Sequence, residues 1–322
     1  MKICFSMQPN PNCAAGGGVK FASILQEFLQ NKGHSVTFAL SGDDLPDVIL
    51  MFDYKKYHSN EFVKWLCLED IRIFQDQYGM KVPIVHRLND IGAPKTGRPP
   101  DYIDKMSELA NRSTRAIYVS NFVKDYYKDY IKTPYTVISN AVDKSVFSIK
   151  ENTFDKKKKK LVTHHWAPNL LKGWDIYSKI DEWIDERDDI EFTFAGNLPL
   201  EVTKLKNIKI HKPTFGDELA SLIRESDIYV TASRYEPCGN HYLEGISCGL
   251  PILYHKAGGG VNDMSEFGLG FTDFEDFKKK FDTIVLKYDD FYDNIVENFD
   301  FYSEKMCEEY LSVLSEAANA QC

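Results

Sequence analysis

Short, continuous apolar runs bounded by turn residues recur along the whole chain, and segments with helical apolar spacing separate them. A strand apolar on consecutive residues has no wet face, so it belongs in a sheet covered on both sides. Strands alternating with amphipathic helices are the pattern of a parallel sheet, because each parallel return needs a long crossover. In the first half the runs are 3–7, 35–40, 47–52, 83–87, 116–119 and 135–138. The loop 8–18 ends in Gly16, Gly17 and Gly18 and opens a helix with Val19, Ile24, Leu25, Phe28 and Leu29 on its inner face. A later helix carries Phe122, Tyr126 and Tyr130 at four-residue spacing, and this stripe is expected to be core. The second half repeats the scheme with strands at 161–163, 192–195, 208–211, Ile228–Thr231 and 252–254. A tail at 302–318 puts Met306, Tyr310, Leu311 and Leu314 on one helical face.

A chain of 322 residues that repeats one scheme twice divides into two domains, each large enough to bury a core. Hydrophobic residues make up 43% and charged residues 27%, as in ordinary globular proteins. The net charge of −9 argues against a nucleic-acid groove. The one dense basic run, 156–160, reads as a solvated linker; contact with an anionic membrane or an acidic polymer is the alternative it keeps open. The seven cysteines are odd in number and lack a C-x-x-C pair, so they read as reduced thiols of a cytoplasmic protein. Residues 2–7 are too short for the apolar core of a signal peptide, and no apolar stretch approaches the length of a membrane span.

The chemistry concentrates in the second half. Glu236 and Glu244 are separated by seven residues in a segment that follows the strand Ile228–Thr231 and closes on Gly249-Leu250-Pro251. A helix opening near Gly239 leaves backbone N–H groups at 239–241 for phosphate or hydroxyl oxygens. Glu244 lies about one and a half turns on, and so reaches the same crevice as the loop. Two acids flanking free amides suit a ligand that carries both hydroxyls and phosphates, as a sugar nucleotide does.

This segment resembles the signature of the retaining glycosyltransferases of family 4, which have the GT-B fold. The resemblance implies an α/β protein of two Rossmann-like domains whose parallel sheets face each other across a cleft. It places an acceptor-side domain at 1–150 plus 303–322 and a donor-binding domain at 151–302, the C-terminal helix crossing back to the first. By resemblance Glu236 touches the transferred sugar, Glu244 binds the nucleotide ribose, and Gly239, Asn240 and His241 line the donor site. The segment 138–147 is similar to the family's interdomain hinge, with Ala141 in place of a glycine. Lys172-Gly173 looks like the family's Lys-Gly element, whose lysine binds the donor diphosphate. Many members carry an arginine five residues earlier, where this chain has Ala167; His165 or Arg234 is then the candidate second cation.

The same resemblance carries further donor-site residues. Gly17 and Gly18 look like the loop over the donor phosphates, although G-x-G-x-x-G spacing is missing. Arg87 and Asp90 follow a strand end, where open α/β sheets bind ligands, and Asp90 is a catalytic candidate beside Glu236 and Lys172. Gly196 and Asn197 match a turn after a strand of the second domain, and Lys212 and Thr214 lie where the family cradles the nucleobase. No cofactor and no metal are expected, since Asp43-Asp44 and Asp289-Asp290 lack a metal-site context. The implied function is transfer from a UDP- or GDP-sugar to a carbohydrate or lipid-linked acceptor. An epimerase or hydrolase on the same fold, and a degenerate glycan-binding domain, are the alternatives.

Overall fold

The computed structural model describes residues 1–10, 17–54, 62–78, 82–92, 99–202 and 205–320. Gly16, Cys13 and Cys322 therefore lie outside the described residues. The chain forms two compact units, Met1–Asn140 with Ser303–Cys322, and Ala141–Tyr302.

The first unit contains β1 (Lys2–Phe5), β2 (Met7–Pro9), α1 (Gly17–Asn31), β3 (Ser35–Thr37), β4 (Val48–Met51) and β5 (Phe62–Trp65). It continues with α2 (Leu68–Tyr78), β6 (Ile84–Leu88), α3 (Tyr102–Asn111), β7 (Arg115–Tyr118), α4 (Asn121–Tyr127) and β8 (Tyr135–Val137). Six strands pair in parallel in the order β3-β1-β4-β6-β7-β8. Every residue of β4 and β6 is buried, as a strand covered on both faces requires. The run 3–7 is interrupted at Ser6: β2 leaves the main sheet and pairs antiparallel with β5. Neither β5 nor α2 was legible in the apolar pattern, since Phe62–Trp65 carries a lysine mid-strand and α2 is polar on most of its surface.

Two helical faces differ from expectation. In α1 the buried set is Val19, Phe21, Ala22, Leu25 and Leu29, which rotates the inner face away from Ile24 and Phe28. In α4 the aromatic stripe is not core. Val123 and Tyr127 are buried, Phe122 and Tyr126 are half-buried, and Tyr130 is exposed beyond the helix end. The Ser120 hydroxyl accepts the Val123 N–H and fixes the first turn, and that phase turns 123 and 127 towards the sheet.

The second unit contains β9 (Lys159–His165), a 3₁₀ turn at Leu170–Lys172, α5 (Trp174–Ile184), β10 (Ile190–Gly196) and β11 (Lys209–His211). It continues with α6 (Gly216–Arg224), β12 (Ile228–Thr231), α7 (Asn240–Ser247), β13 (Ile252–His255), β14 (Gly268–Phe271), α8 (Phe274–Leu286) and α9 (Tyr288–Asn298). Its parallel sheet has the order β11-β10-β9-β12-β13-β14, so the winding reverses between β9 and β12. The basic run is only partly a linker. Lys159 and Lys160 begin β9, and Lys159 is buried against Asp189 with its ammonium in an ion pair. β14 is an addition to the expected strands, missed because two of its four residues are glycine.

Helix α10 (Ser303–Asn319) belongs to the first unit, packs against α1, β4 and β6, and buries Met306, Cys307, Tyr310, Val313, Leu314 and Ala317. Leu311, expected inside, is only half-buried. No helix among the described residues is long and apolar enough to cross a membrane.

Candidate functional site

Ligands of open α/β sheets bind beyond the carboxyl ends of the strands, where the strand order reverses. In the second unit that point lies between β9 and β12, and the chain leaves these two strands into the segments the sequence singled out. After β9 the loop runs through Trp166 to the 3₁₀ turn bearing Lys172. After β12 it runs through Arg234 and Tyr235 to Glu236 and then into α7.

Backbone bonds tie the two exits together. The Arg234 N–H donates to the Leu171 carbonyl at 2.8 Å. Glu236 is held by Gly259 and its neighbours: its N–H donates to the Gly258 carbonyl at 3.0 Å and its carbonyl accepts from Gly260 at 2.8 Å. Gly173 sits at φ +87°, and a Cβ there would lie 2.2 Å from the Ala232 carbonyl oxygen, so only glycine lets the turn approach β12 this closely. Tyr235 takes the left-handed conformation at φ +57° and is the one non-glycine residue of that kind among the described residues. This bend aims Glu236 back at the turn. The result is a half-buried ion pair, with Lys172 Nζ 2.5 Å from Glu236 Oε2.

Helix α7 supplies Glu244 from the same side. Glu244 is buried, and its Oε2 lies 2.7 Å from Nε2 of His164. Three expected residues, Lys172, Glu236 and Glu244, are thus brought to the exits of β9 and β12. The amide of Gly239 is not available as the sequence suggested, because its N–H donates to the Tyr242 hydroxyl at 3.0 Å. Asn240 opens α7, and its side-chain oxygen has no hydrogen-bond partner among the described residues.

Neither candidate for the second cation is placed as one. His165 is buried among Trp174, Tyr177 and Phe194, and burial together with the charge of Lys172 pushes its imidazole well below the usual range. It is a neutral ring in an aromatic cage. Arg234 forms a bidentate pair with Asp175, both N–O distances being 2.7 Å; these bonds hold the Asp175 carboxyl below its ordinary value. His241 is likewise neutral. Burial lowers its pKa well below normal, and its Nε2 lies 3.0 Å from the Thr231 hydroxyl.

The remaining residues of the second unit line the rim. Gly196 ends β10 beside His165, and the Asn197 amide donates to the Trp166 carbonyl at 3.0 Å. Trp166 stacks on Phe215 with ring centroids 3.8 Å apart, both rings largely exposed. Lys212 is exposed, and the Thr214 hydroxyl has no hydrogen-bond partner among the described residues. The aromatic stack and His164 were missed in the sequence. A buried polar residue at the end of the strand where the winding reverses is the signal that would have found His164.

Gly17, Gly18, Arg87 and Asp90 belong to the first unit. Gly17 and Gly18 open α1. Arg87 is 2% exposed and works as an internal tie. Its Nε donates to the Tyr310 hydroxyl at 3.1 Å, one terminal nitrogen to Asn140 Oδ1 at 2.8 Å, and its guanidinium lies over Phe21 at 4.0 Å. Asp90 is half-buried, its Oδ1 accepting the Ile91 N–H.

Comparison with known proteins bears on the segment that holds this site. Residues 170–285 match the family model of glycosyl transferases group 1. A glycogen synthase of Aquifex aeolicus is 30% identical over 148 residues, which cover 40% of this chain and 32% of that protein. An uncharacterized glycosyltransferase of Methanocaldococcus jannaschii is 30% identical over 158 residues, 46% of this chain and 41% of that one. The matched stretches thus span less than half of either relative. Over the whole chain the fold is similar to HepE of Anabaena in complex with UDP, with a TM-score of 0.72 at 16% identity, covering 98% of this chain and 100% of that one. The same Anabaena protein is also known in complex with UDP-glucose. The two parallel six-stranded sheets with their helices are a GT-B fold.

Proposed function

We propose that the chain is a retaining glycosyltransferase that moves a sugar from a nucleoside-diphosphate donor to a hydroxyl acceptor, without a metal. The observation that carries this reading is the meeting of Lys172, Glu236 and Glu244 at the reversal point of a sheet whose residues 170–285 match group 1 glycosyltransferases. The UDP and UDP-glucose held by the Anabaena neighbour support a nucleotide-sugar donor.

Transfer breaks the bond between the sugar's anomeric carbon and a diphosphate oxygen, and forms one to the acceptor oxygen. Negative charge builds on the leaving diphosphate and positive charge on the sugar ring. The Lys172 ammonium meets the first and the Glu236 carboxylate meets the second. Fixed charges of this kind are each worth roughly 10²–10³ in rate. Glu244 takes the ribose hydroxyls and so registers the donor against the pair. With attack on the face the diphosphate leaves, the departing oxygen accepts the acceptor's proton and configuration is retained. Asp90 is a candidate for the sugar or acceptor side. A carbohydrate or lipid-linked alcohol is the acceptor class, and work at a membrane surface is compatible with it.

The test is incubation with UDP-, GDP-, ADP- and TDP-sugars without acceptor, reading thermal shift and slow nucleotide release. Stabilisation by one nucleotide class, with release from one of its sugars, is the expected result. A flat response across the panel overturns the reading.

A further inference from the structure

His164 stands outside every motif above, yet it makes a hydrogen bond to the Glu244 carboxylate. The two groups come from different elements, the end of β9 and the middle of α7, and both are buried, with side-chain exposures of 5% and 10%. A carboxylate this far from water needs a donor, and His164 Nε2 supplies one at 2.7 Å. The other ring nitrogen is engaged as well. Nδ1 lies 3.0 Å from the Tyr229 hydroxyl, which also accepts the backbone N–H of His164 at 3.1 Å and reaches its carbonyl oxygen at 3.3 Å. An ionised carboxylate only accepts, so Nε2 carries the hydrogen that points at Glu244.

The frame around this chain of bonds is rigid. Tyr229 is fully buried in β12, and Gly245 packs directly on its ring; a Cβ at 245 would come within 2.4 Å of Tyr229 Cγ. Absence of a side chain at 245 is what seats α7 low enough for Glu244 to reach His164. The edge of His241 closes the other side of the His164 ring, with centroids 6.3 Å apart. A glutamate on a helix ordinarily samples several rotamers. Here one oxygen is fixed by a donor that is itself fixed at its other nitrogen.

We infer that His164 is the positioning residue that sets the Glu244 carboxylate, and through it the preference of the site for a nucleotide with intact ribose hydroxyls. This inference rests on the donor reading of Glu244 given above. It makes His164 and Glu244 one unit: removing either loses the same recognition, and removing both loses little more.

The experiment measures binding of UDP, GDP and their 2′,3′-dideoxy forms by calorimetry, on wild type, His164→Leu, His164→Gln, Glu244→Gln and the double variant His164→Leu/Glu244→Gln. Thermal unfolding of each is measured in parallel. Wild type is expected to bind one ribonucleotide at least tenfold more tightly than its dideoxy form. His164→Leu is expected to bring that ratio close to one, and His164→Gln, whose amide can donate from the Nε2 position, to restore most of it. The double variant is expected to match Glu244→Gln. A residue with a merely structural role would lower the unfolding temperature and leave the ratio intact. A folded His164→Leu protein that keeps the wild-type ratio overturns the inference alone. A wild type that binds neither UDP nor GDP, nor ADP or TDP measured in the same way, overturns the donor reading and this inference with it.

Discussion

Lys172 Nζ lies 2.5 Å from Glu236 Oε2, although 64 residues separate them in the chain. Two constraints make this pair. The glycine at 173 lets the lysine turn press against β12, and the left-handed Tyr235 turns the glutamate back towards it. Lys172→Ala is expected to weaken donor use at least tenfold, read as kcat/KM with the best nucleotide sugar, while the unfolding temperature stays close to wild type. Glu236→Gln should lower kcat more than it raises KM, since its charge is needed most when the sugar ring turns cationic. Wild-type kinetics in both variants would sink the assignment.

Gly173→Ala tests the backbone rather than the charge. It forces a non-glycine residue to φ +87° and drives a Cβ against the Ala232 carbonyl. The left-handed strain alone costs about 1–2 kcal/mol, and the clash adds to it. Chemical denaturation should show a loss of more than about 2 kcal/mol, together with weakened donor binding because Lys172 is displaced.

Asp181 on α5 is buried, and its carboxylate accepts the N–H groups of Lys206, Asn207 and Ile208 that lead into β11. Removing it strips the carboxylate acceptor from three amides, of which that of Ile208 is buried. Asp181→Ala is expected to destabilise the second unit by about 2–3 kcal/mol, measured by urea unfolding.

His86 in β6 is fully buried with neither ring nitrogen bonded among the described residues, and burial lowers its pKa from 6.5 to about 3. The folded value is the lower one, so as pH falls the unfolded chain takes up this proton first. The stability that neutral His86 contributes is complete above pH 6.5 and is lost progressively towards about 3. The slope within that window is about 1.4 kcal/mol per pH unit. Urea midpoints between pH 7.5 and 5 should fall less steeply for His86→Leu than for wild type, and equal slopes would refute the burial of a neutral ring.

The sequence by itself determined the fold class, because short apolar runs alternating with amphipathic helices are met by a parallel sheet covered on both faces. It also marked Glu236 and Glu244 by their spacing around the helix opening near Gly239, and Lys172 by its resemblance to a Lys-Gly element. Helix phase was less legible. Phe122, Tyr126 and Tyr130 have core spacing, yet the Ser120 cap sets a phase that buries Val123 and Tyr127 instead. Charge at the site was decided by tertiary structure alone. His165 and Arg234 both look cationic in the chain, but burial neutralises one and Asp175 engages the other. The bond from His164 to Glu244 spans 80 residues and exists only because Gly245 lets α7 settle on Tyr229. Local spacing fixes which residues share a strand or a helix face. Which buried groups must share a proton depends on how closely the elements pack, and no local pattern encodes that distance.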